Sequence, residues 1–260
     1  MKAISRITIF TILLIAAMNG VVFAASGDGM TLELGYFQPS LTFKSHYVNG
    51  ISSTQDVDFK NDLGMDNKNA TEYRLWLTGN LRLSYTNWSF DGAKTITQPI
   101  SYGGTQFIDG YNTDSHLGVD YYRLTWLRPI TKSQAVDTSW LVDLKGFKFD
   151  TSITGTDSSN NTKTESKSFA GVIPTIGFRA STKLQGESGL TGFTEISGLP
   201  LGKYGHFYDM EIGAKYNFNK QAAASVAYRT FDLSINDGKD NGDSAQLKQA
   251  GPYFEIMYKF

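Results

Sequence analysis

The chain has 260 residues, 24 basic against 25 acidic side chains, and a formal net charge of −1. That balance leaves no nucleic-acid footprint, and the lack of cysteine rules out a disulfide framework and a thiolate metal site. Twenty-six Gly, 17 Phe, 14 Tyr and 4 Trp against only 6 Pro suit many strands joined by turns, not a disordered chain.

Lys2 and Arg6 precede an uncharged, mostly apolar run over 7–17, and Val22-Phe23-Ala24 offers a cleavage site. Together these features predict a secretory signal peptide over 1–24, cut after Ala24. The run is too short for a spanning helix, which needs roughly 20 apolar residues. No other apolar stretch reaches that length, so a membrane location requires a closed barrel. Residues 25–260 are expected to form that single domain.

From Met30 to Phe260 the dominant hydrophobic period is two. Ten strands are predicted, over 30–44, 71–79, 81–91, 114–128, 136–150, 167–182, 189–197, 206–218, 221–234 and 248–260. Most are close to the roughly 9–11 residues that a tilted membrane strand needs. Eight strands is the alternative if the first segment or 189–205 does not span. Twelve would follow if 94–110 forms a hairpin inside the membrane. The connections at 79–80, 129–135, 183–188 and 219–220 are short. Those at 45–70, 92–113, 151–166, 198–205 and 235–247 are longer and polar. Short periplasmic turns and long outer loops are the expected asymmetry of an outer-membrane barrel, with both termini periplasmic. The aromatics Tyr85/Trp88, Trp126, Trp140 and Tyr216/Phe218 lie near strand ends, as interfacial girdles do. The expected fold is all-β: a transmembrane antiparallel up-and-down β-barrel.

The alternation sends Glu72, Arg74, Arg82, Asp143, Lys145, Arg179, Glu195, Asp209, Glu211, Lys215, Arg229 and Glu255 into the lumen. A ten-stranded barrel is narrow and its interior is filled by side chains. Buried charges then need partners, since an unpaired one costs several kcal/mol. A salt-bridged plug is therefore expected, with a thin polar path for small solutes as the alternative. Within 117–127 the phase is ambiguous around Asp120 and Arg123, and a bulge would resolve it.

The pairs Asp56-Val57-Asp58 and Asp114-Ser115-His116 resemble those of the omptins, ten-stranded outer-membrane proteases that activate water with an Asp pair and an Asp-x-His pair. The resemblance implies His116 as base, oriented by Asp114, with Asp56 and Asp58 opposite. Here the two pairs fall on the first and second outer loops, which departs from the family. Ser115-His116 also resembles the His-Ser pair of outer-membrane lipid A deacylases, but in reversed order. His46 and His206 read as polar rim residues. Asp56, Asp58, Asp62 and Asp66, and likewise Asp237, Asp240 and Asp243, are candidate calcium ligands by residue type. Neither group matches an EF-hand, and solvated loops are the expected reading. No metal or other cofactor is expected.

The last ten residues, GPYFEIMYKF, resemble the C-terminal signal by which outer-membrane barrels are recognised for assembly, through Ile256, Tyr258 and Phe260. VDFKNDLGMDNK and YRLWLTGNLRLSYTNWSFDG resemble uncharacterised outer-membrane barrels, and most of the chain is similar to small opacity-type and outer-membrane-protein-W-type barrels. These resemblances imply outer-membrane lipid, lipopolysaccharide and the barrel-assembly machinery as partners. The expected function is a non-enzymatic structural or porin-like barrel passing small solutes. The alternatives are an outer-membrane hydrolase, or an adhesin or recognition protein acting through its outer loops.

Overall fold

The computed structural model describes residues 29–46, 56–133, 135–184, 189–236, 238 and 244–260. The predicted signal segment 1–24 and the acidic residues Asp237, Asp240 and Asp243 lie outside the described residues. The strands are β1 (Thr31–Phe37), β2 (Ser40–His46), β3 (Val57–Asp58), β4 (Ala70–Thr78), β5 (Leu81–Thr95), β6 (Ile100–Tyr102), β7 (Thr105–Phe107), β8 (Asn112–Lys132), β9 (Val136–Thr156), β10 (Thr162–Lys183), β11 (Leu190–Pro200), β12 (Gly205–Asn217), β13 (Ala222–Asn236) and β14 (Ser244–Lys259). Ten of them, β1, β4, β5 and β8 to β14, pair antiparallel with their neighbours, and β1 closes the ring on β14 from Thr31↔Lys259 to Phe37↔Tyr253. β2 and β3 lie outside the ring and extend it at the long-loop end.

The exterior follows from strand alternation in a bilayer. Leu34, Leu124, Val142, Leu144, Ile176, Ile196, Met210, Ile212, Val226 and Ile256 are exposed apolar side chains. They lie between two exposed aromatic sets. Trp126, Trp140, Tyr216, Phe218, Tyr258 and Phe260 stand toward the short turns; Tyr36, Tyr122, Tyr208, Tyr228 and Phe254 stand toward the long loops. Tyr208 and Tyr216 are eight residues apart on β12, roughly 26 Å along the strand, which matches the apolar band of an outer-membrane barrel.

Several expectations need correction. Trp88 is not a girdle residue: it faces the lumen and is 1% exposed. The first predicted segment is not one strand. β1 stops at Phe37 because Pro39 has no amide to donate, and Gln38 N donates instead to Pro252 O at 3.0 Å. The segment 151–166 is mostly strand, not loop: β9 and β10 pair without interruption from Thr156↔Thr162 to Val136↔Thr182. No bulge occurs within 117–127; the β8–β9 register shifts only between Pro129 and Thr131. The hairpin within 94–110 exists as β6 and β7, but it forms a separate two-stranded sheet and adds nothing to the ring.

Strands β8, β9 and β10 run 21, 21 and 22 residues, about twice what crossing a bilayer needs. Their upper halves stand above the apolar band and are roofed from inside by the connections. Phe59 packs on Phe43 at 4.6 Å and on Tyr102 at 6.0 Å. Phe107 and Leu63 are fully buried. Met65 bridges to Gly92, where a Cβ would stand 2.5 Å from Leu63 O and 2.7 Å from Met65 N. Only glycine lets the 56–69 connection lie this close to β5.

Candidate functional site

The described lumen has three layers. At the short-turn end is an open vestibule of about 670 Å3, whose wall includes Glu33, Trp76, Arg179, Lys215, Lys220 and Lys259. Above it lies a layer of charge. Every strand of the ring contributes to it: Glu33 from β1, Glu72 and Arg74 from β4, Arg82 from β5, Arg123 from β8, Asp143 and Lys145 from β9, Arg179 from β10, Glu195 from β11, Asp209, Glu211 and Lys215 from β12, Arg229 from β13 and Glu255 from β14. Seven side chains of each sign face inward, so the layer is neutral in formal charge.

Many of the contacts reach across the barrel. Arg74 Nη2 donates to Glu211 at 2.7 Å, and its Nη1 lies 3.4 Å from Glu255. Arg82 and Arg123 both donate to Glu195 Oε1 at 2.6 Å, and Arg179 Nη1 lies 3.4 Å from Glu195 Oε2. Arg229 donates to Glu72 and, at 3.2 Å, to Asp209. Lys145 lies 3.4 Å from Asp143 and 3.5 Å from Asp209, and donates to Ser197 at 2.6 Å. Paired charge, with hydrogen bonds to the remaining donors and acceptors, is the arrangement that makes buried ions tolerable. Arg74 also stacks over Tyr253 at 4.8 Å and Lys145 over Phe207 at 4.5 Å, which joins this layer to the next. Gly35 makes room for Tyr253: a Cβ there would lie 1.9 Å from the Tyr253 hydroxyl.

The third layer is aromatic. Trp88, Tyr121, Phe147, Phe207 and Phe231 pack with ring centroids between 5.0 and 5.8 Å apart. The Tyr121 hydroxyl donates to Asp209 at 3.2 Å. Beyond this layer, toward the long loops, an apolar cavity of about 480 Å3 opens.

All twelve side chains predicted to face the lumen do so. Glu33 was missed, although Leu32, Leu34 and Tyr36 alternating around it mark its phase. Arg123 also belongs to the network, while Asp120 points outward and accepts from the Tyr85 hydroxyl at 3.0 Å and Asn87 at 2.9 Å.

The omptin-like residues are not drawn into one centre. Asp56 lies 3.1 Å from His46 Nδ1, and Asp58 accepts from the backbone amides of Lys60 and Asn61 at 3.1 and 3.0 Å. Asp62 caps the Asp58 amide at 2.8 Å, so these carboxylates are engaged in shaping the loop. Asp114 accepts from Asn112 at 3.2 Å. His116 Nδ1 lies 2.7 Å from Asp91 Oδ1, and Lys68 donates to the other oxygen of Asp91 at 2.6 Å. The hydrogen bond from Lys68, then that from His116, holds the Asp91 carboxyl below the usual carboxylate range. Asp91 and His116 are cross-strand partners on the outer wall, above the apolar band, in a cleft of about 570 Å3 shared with Asp66 and Asp114. Ser115 and His116 point to opposite faces of β8, as consecutive strand residues must, so they form no dyad. Among the described residues no group of three or more acidic or His side chains is arranged to hold a metal ion.

The fold is similar to that of the outer membrane protease OmpT from Escherichia coli, with a TM-score of 0.58 and 9% identity over 92% of this chain and 99% of that one. Weaker likenesses include Ail, the attachment invasion locus protein of Yersinia pestis (TM-score 0.34, 8% identity, 88% and 99% covered), and the Pseudomonas putida toluene transporter TodX (0.36, 8%, 94% and 93%). The likeness to OmpT is one of fold, that of an outer-membrane β-barrel. No protein family and no curated protein matches the chain.

Proposed function

We propose that this chain is an exported, non-enzymatic barrel of the outer membrane whose lumen is closed, so that its role is structural and not that of a pore. The observation that carries the reading is the charge layer. Each ring strand places at least one charged side chain in it, and the aromatic layer seals it from above. An ion or sugar crossing the barrel would have to part ion pairs such as Arg82–Glu195 and Arg74–Glu211. Breaking a buried pair without replacement costs about 3–5 kcal/mol. The closing strand, with Ile256, Tyr258 and Phe260 outward, is the segment proposed to meet the assembly machinery. Lipid and lipopolysaccharide would surround the apolar band, with the short turns and both termini in the periplasm. The test is liposome swelling with small sugars and amino acids. Folded protein should give no swelling above empty liposomes; solute-dependent swelling would replace the structural reading with the porin-like one.

One observation favours a second reading, a surface hydrolase: the His116–Asp91 contact of 2.7 Å in an open cleft. A neutral imidazole oriented by a carboxylate is a competent general base. If peptide or lipid hydrolysis is detected, His116→Ala and Asp91→Asn should both abolish it; activity surviving in both would remove this reading.

A further inference from the structure

Among the described residues, the wall of the barrel is incomplete beside β10. β10 pairs with β9 along its whole length, from Thr162 to Thr182, but with β11 only from Ile176 to Lys183. β11 ends at Pro200, and a tight turn at Gly202–Tyr204 leads straight into β12. Among the described residues, the edge of β10 from 162 to 175 therefore has no strand beside it. Across the gap, Leu233 and Ile235 of β13 line the same cavity as Ser168 and Phe169 of β10.

The apolar cavity above the aromatic layer lies behind this gap. Its wall includes Phe43, Phe149, Leu233, Ile235 and Leu247. Phe169 belongs to the inward phase of β10, opposite Phe149, yet it is 52% exposed, since among the described residues no strand pairs with this edge of β10. Ser168, of the outward phase, also lines the cavity, so the space wraps around the free edge of β10 and opens sideways.

The gap begins at the lipid surface. Ile176 pairs with Gly198, and Gly198 with Tyr208 of the upper aromatic girdle. Outward of the gap β10 presents Ala170, Val172 and Pro174, with Val172 69% exposed. Apolar side chains thus lead from the lipid-facing band toward the cavity. A cavity of this size falls within the roughly 300–1,000 Å3 of small-ligand sites, and such sites are mostly apolar. Lys167 on its wall and exposed Lys203 on the turn below put positive charge at the mouth, where a phosphorylated headgroup would lie.

We propose that the cavity is a binding site for one hydrocarbon chain of an outer-leaflet lipid, admitted sideways from the bilayer through the gap beside β10. The site stands above the sealed layers and does not depend on whether the barrel conducts.

Because the chain has no cysteine, a single introduced thiol can carry a fluorescent label. The label is placed at Ile235→Cys in the cavity, at Ile212→Cys on the lipid face and at Ser152→Cys on the outer wall above the band. Each protein is refolded into phosphatidylglycerol–phosphatidylcholine vesicles with brominated acyl chains. Quenching at 235 should be comparable to that at 212 and well above that at 152. It should be lost in Ser45→Phe/Ala245→Phe, which fills the cavity, while quenching at 212 is retained as proof of folding. Phe169→Cys, at the exposed lip, repeats the measurement if the 235 variant does not fold. Quenching at 235 equal to that at 152, or quenching by brominated decanol added from water without quenching by the lipid, would overturn the proposal.

Discussion

Glu195 is the carboxylate on which the charge layer turns, and Glu195→Gln removes its charge while keeping its shape. Its Oε1 accepts from Arg82 and from Arg123, both at 2.6 Å, and Arg179 lies 3.4 Å from Oε2. Glu195 is 6% exposed, Arg82 1% and Arg123 4%, so little water can replace the lost partner. Arg123 keeps Asp143 at 2.9 Å, but among the described residues Arg82 has no second carboxylate partner, and keeps the Thr125 hydroxyl at 3.5 Å and the Trp76 ring at 4.9 Å. The substitution therefore leaves one guanidinium nearly uncompensated, and the cost should approach the about 3–5 kcal/mol of a broken buried pair. Reversible urea unfolding in lipid vesicles, followed by tryptophan fluorescence, measures it as a fall in the midpoint at unchanged slope. Replacing Arg82 as well, with Met, removes the orphaned charge and should recover much of the loss. A loss under about 1 kcal/mol for Glu195→Gln, as for an exposed pair, would refute the view that these charges hold the lumen closed.

Three further outcomes follow from the geometry. Gly35→Ala should fold poorly or not at all, since the new Cβ would stand 1.9 Å from the Tyr253 hydroxyl; heat-modified migration on a gel reads this, and Gly35→Ala/Tyr253→Phe should recover folding in part. Gly92→Val should cost about 1–3 kcal/mol by pushing the 56–69 connection off β5, and limited proteolysis should then cut within 56–69 while the barrel stays intact. Asp157 accepts from the amides of Asn161 and Ser159 and pairs with Lys163 at 3.2 Å; the Asn161 amide contributes most to holding its carboxyl below the usual range. A depressed carboxylate stabilises the folded hairpin above its unfolded pKa, and that contribution is lost as pH falls through the depressed value. Amide exchange at Ser159 and Asn161 should therefore stay protected at neutral pH and lose protection only in acid below the ordinary aspartate range, whereas Asp157→Asn should show weaker protection with no acid dependence.

Much of the fold can be read from the sequence because a bilayer forces the two faces of a strand apart. Where lipid lies outside and charge inside, as at Tyr208 to Tyr216 or Phe254 to Phe260, the period of two is unmistakable, and the lumen charges follow from it. The pattern blurs where that contrast ends. Between Leu117 and Leu127 the inward side chains change from Leu117, Val119 and Tyr121 to Arg123 and Thr125, while Tyr122, Leu124 and Trp126 remain outward. The lumen itself passes from the aromatic layer to the charge layer at this height, which mimics a slip of phase and suggested a bulge that does not exist. Trp88 was misplaced for the same reason: an aromatic near a strand end suits a girdle and a lumen plug equally. The strand through 151–166 was hidden because, above the bilayer, its outer face meets water while its inner face, though buried under the roof, carries Thr151, Gly155 and Asp157 beside Ile153, so the run shows no alternation of apolar and polar residues. The His116–Asp91 contact joins neighbouring strands far apart in sequence, and no local spacing announces it. The gap beside β10 depends on where β11 stops, a matter of strand ends that hydrophobic period leaves open.

The most direct test of the closed lumen is single-channel recording of the refolded protein in a planar bilayer. The layered lumen predicts silence at all moderate voltages from protein shown to be folded, with openings appearing in variants such as Glu195→Gln that loosen the charge layer. Discrete, reproducible openings of the unaltered protein, with an ion selectivity that reverses on Arg82→Glu or Lys215→Glu, would contradict it and show a continuous water path through the charge layer.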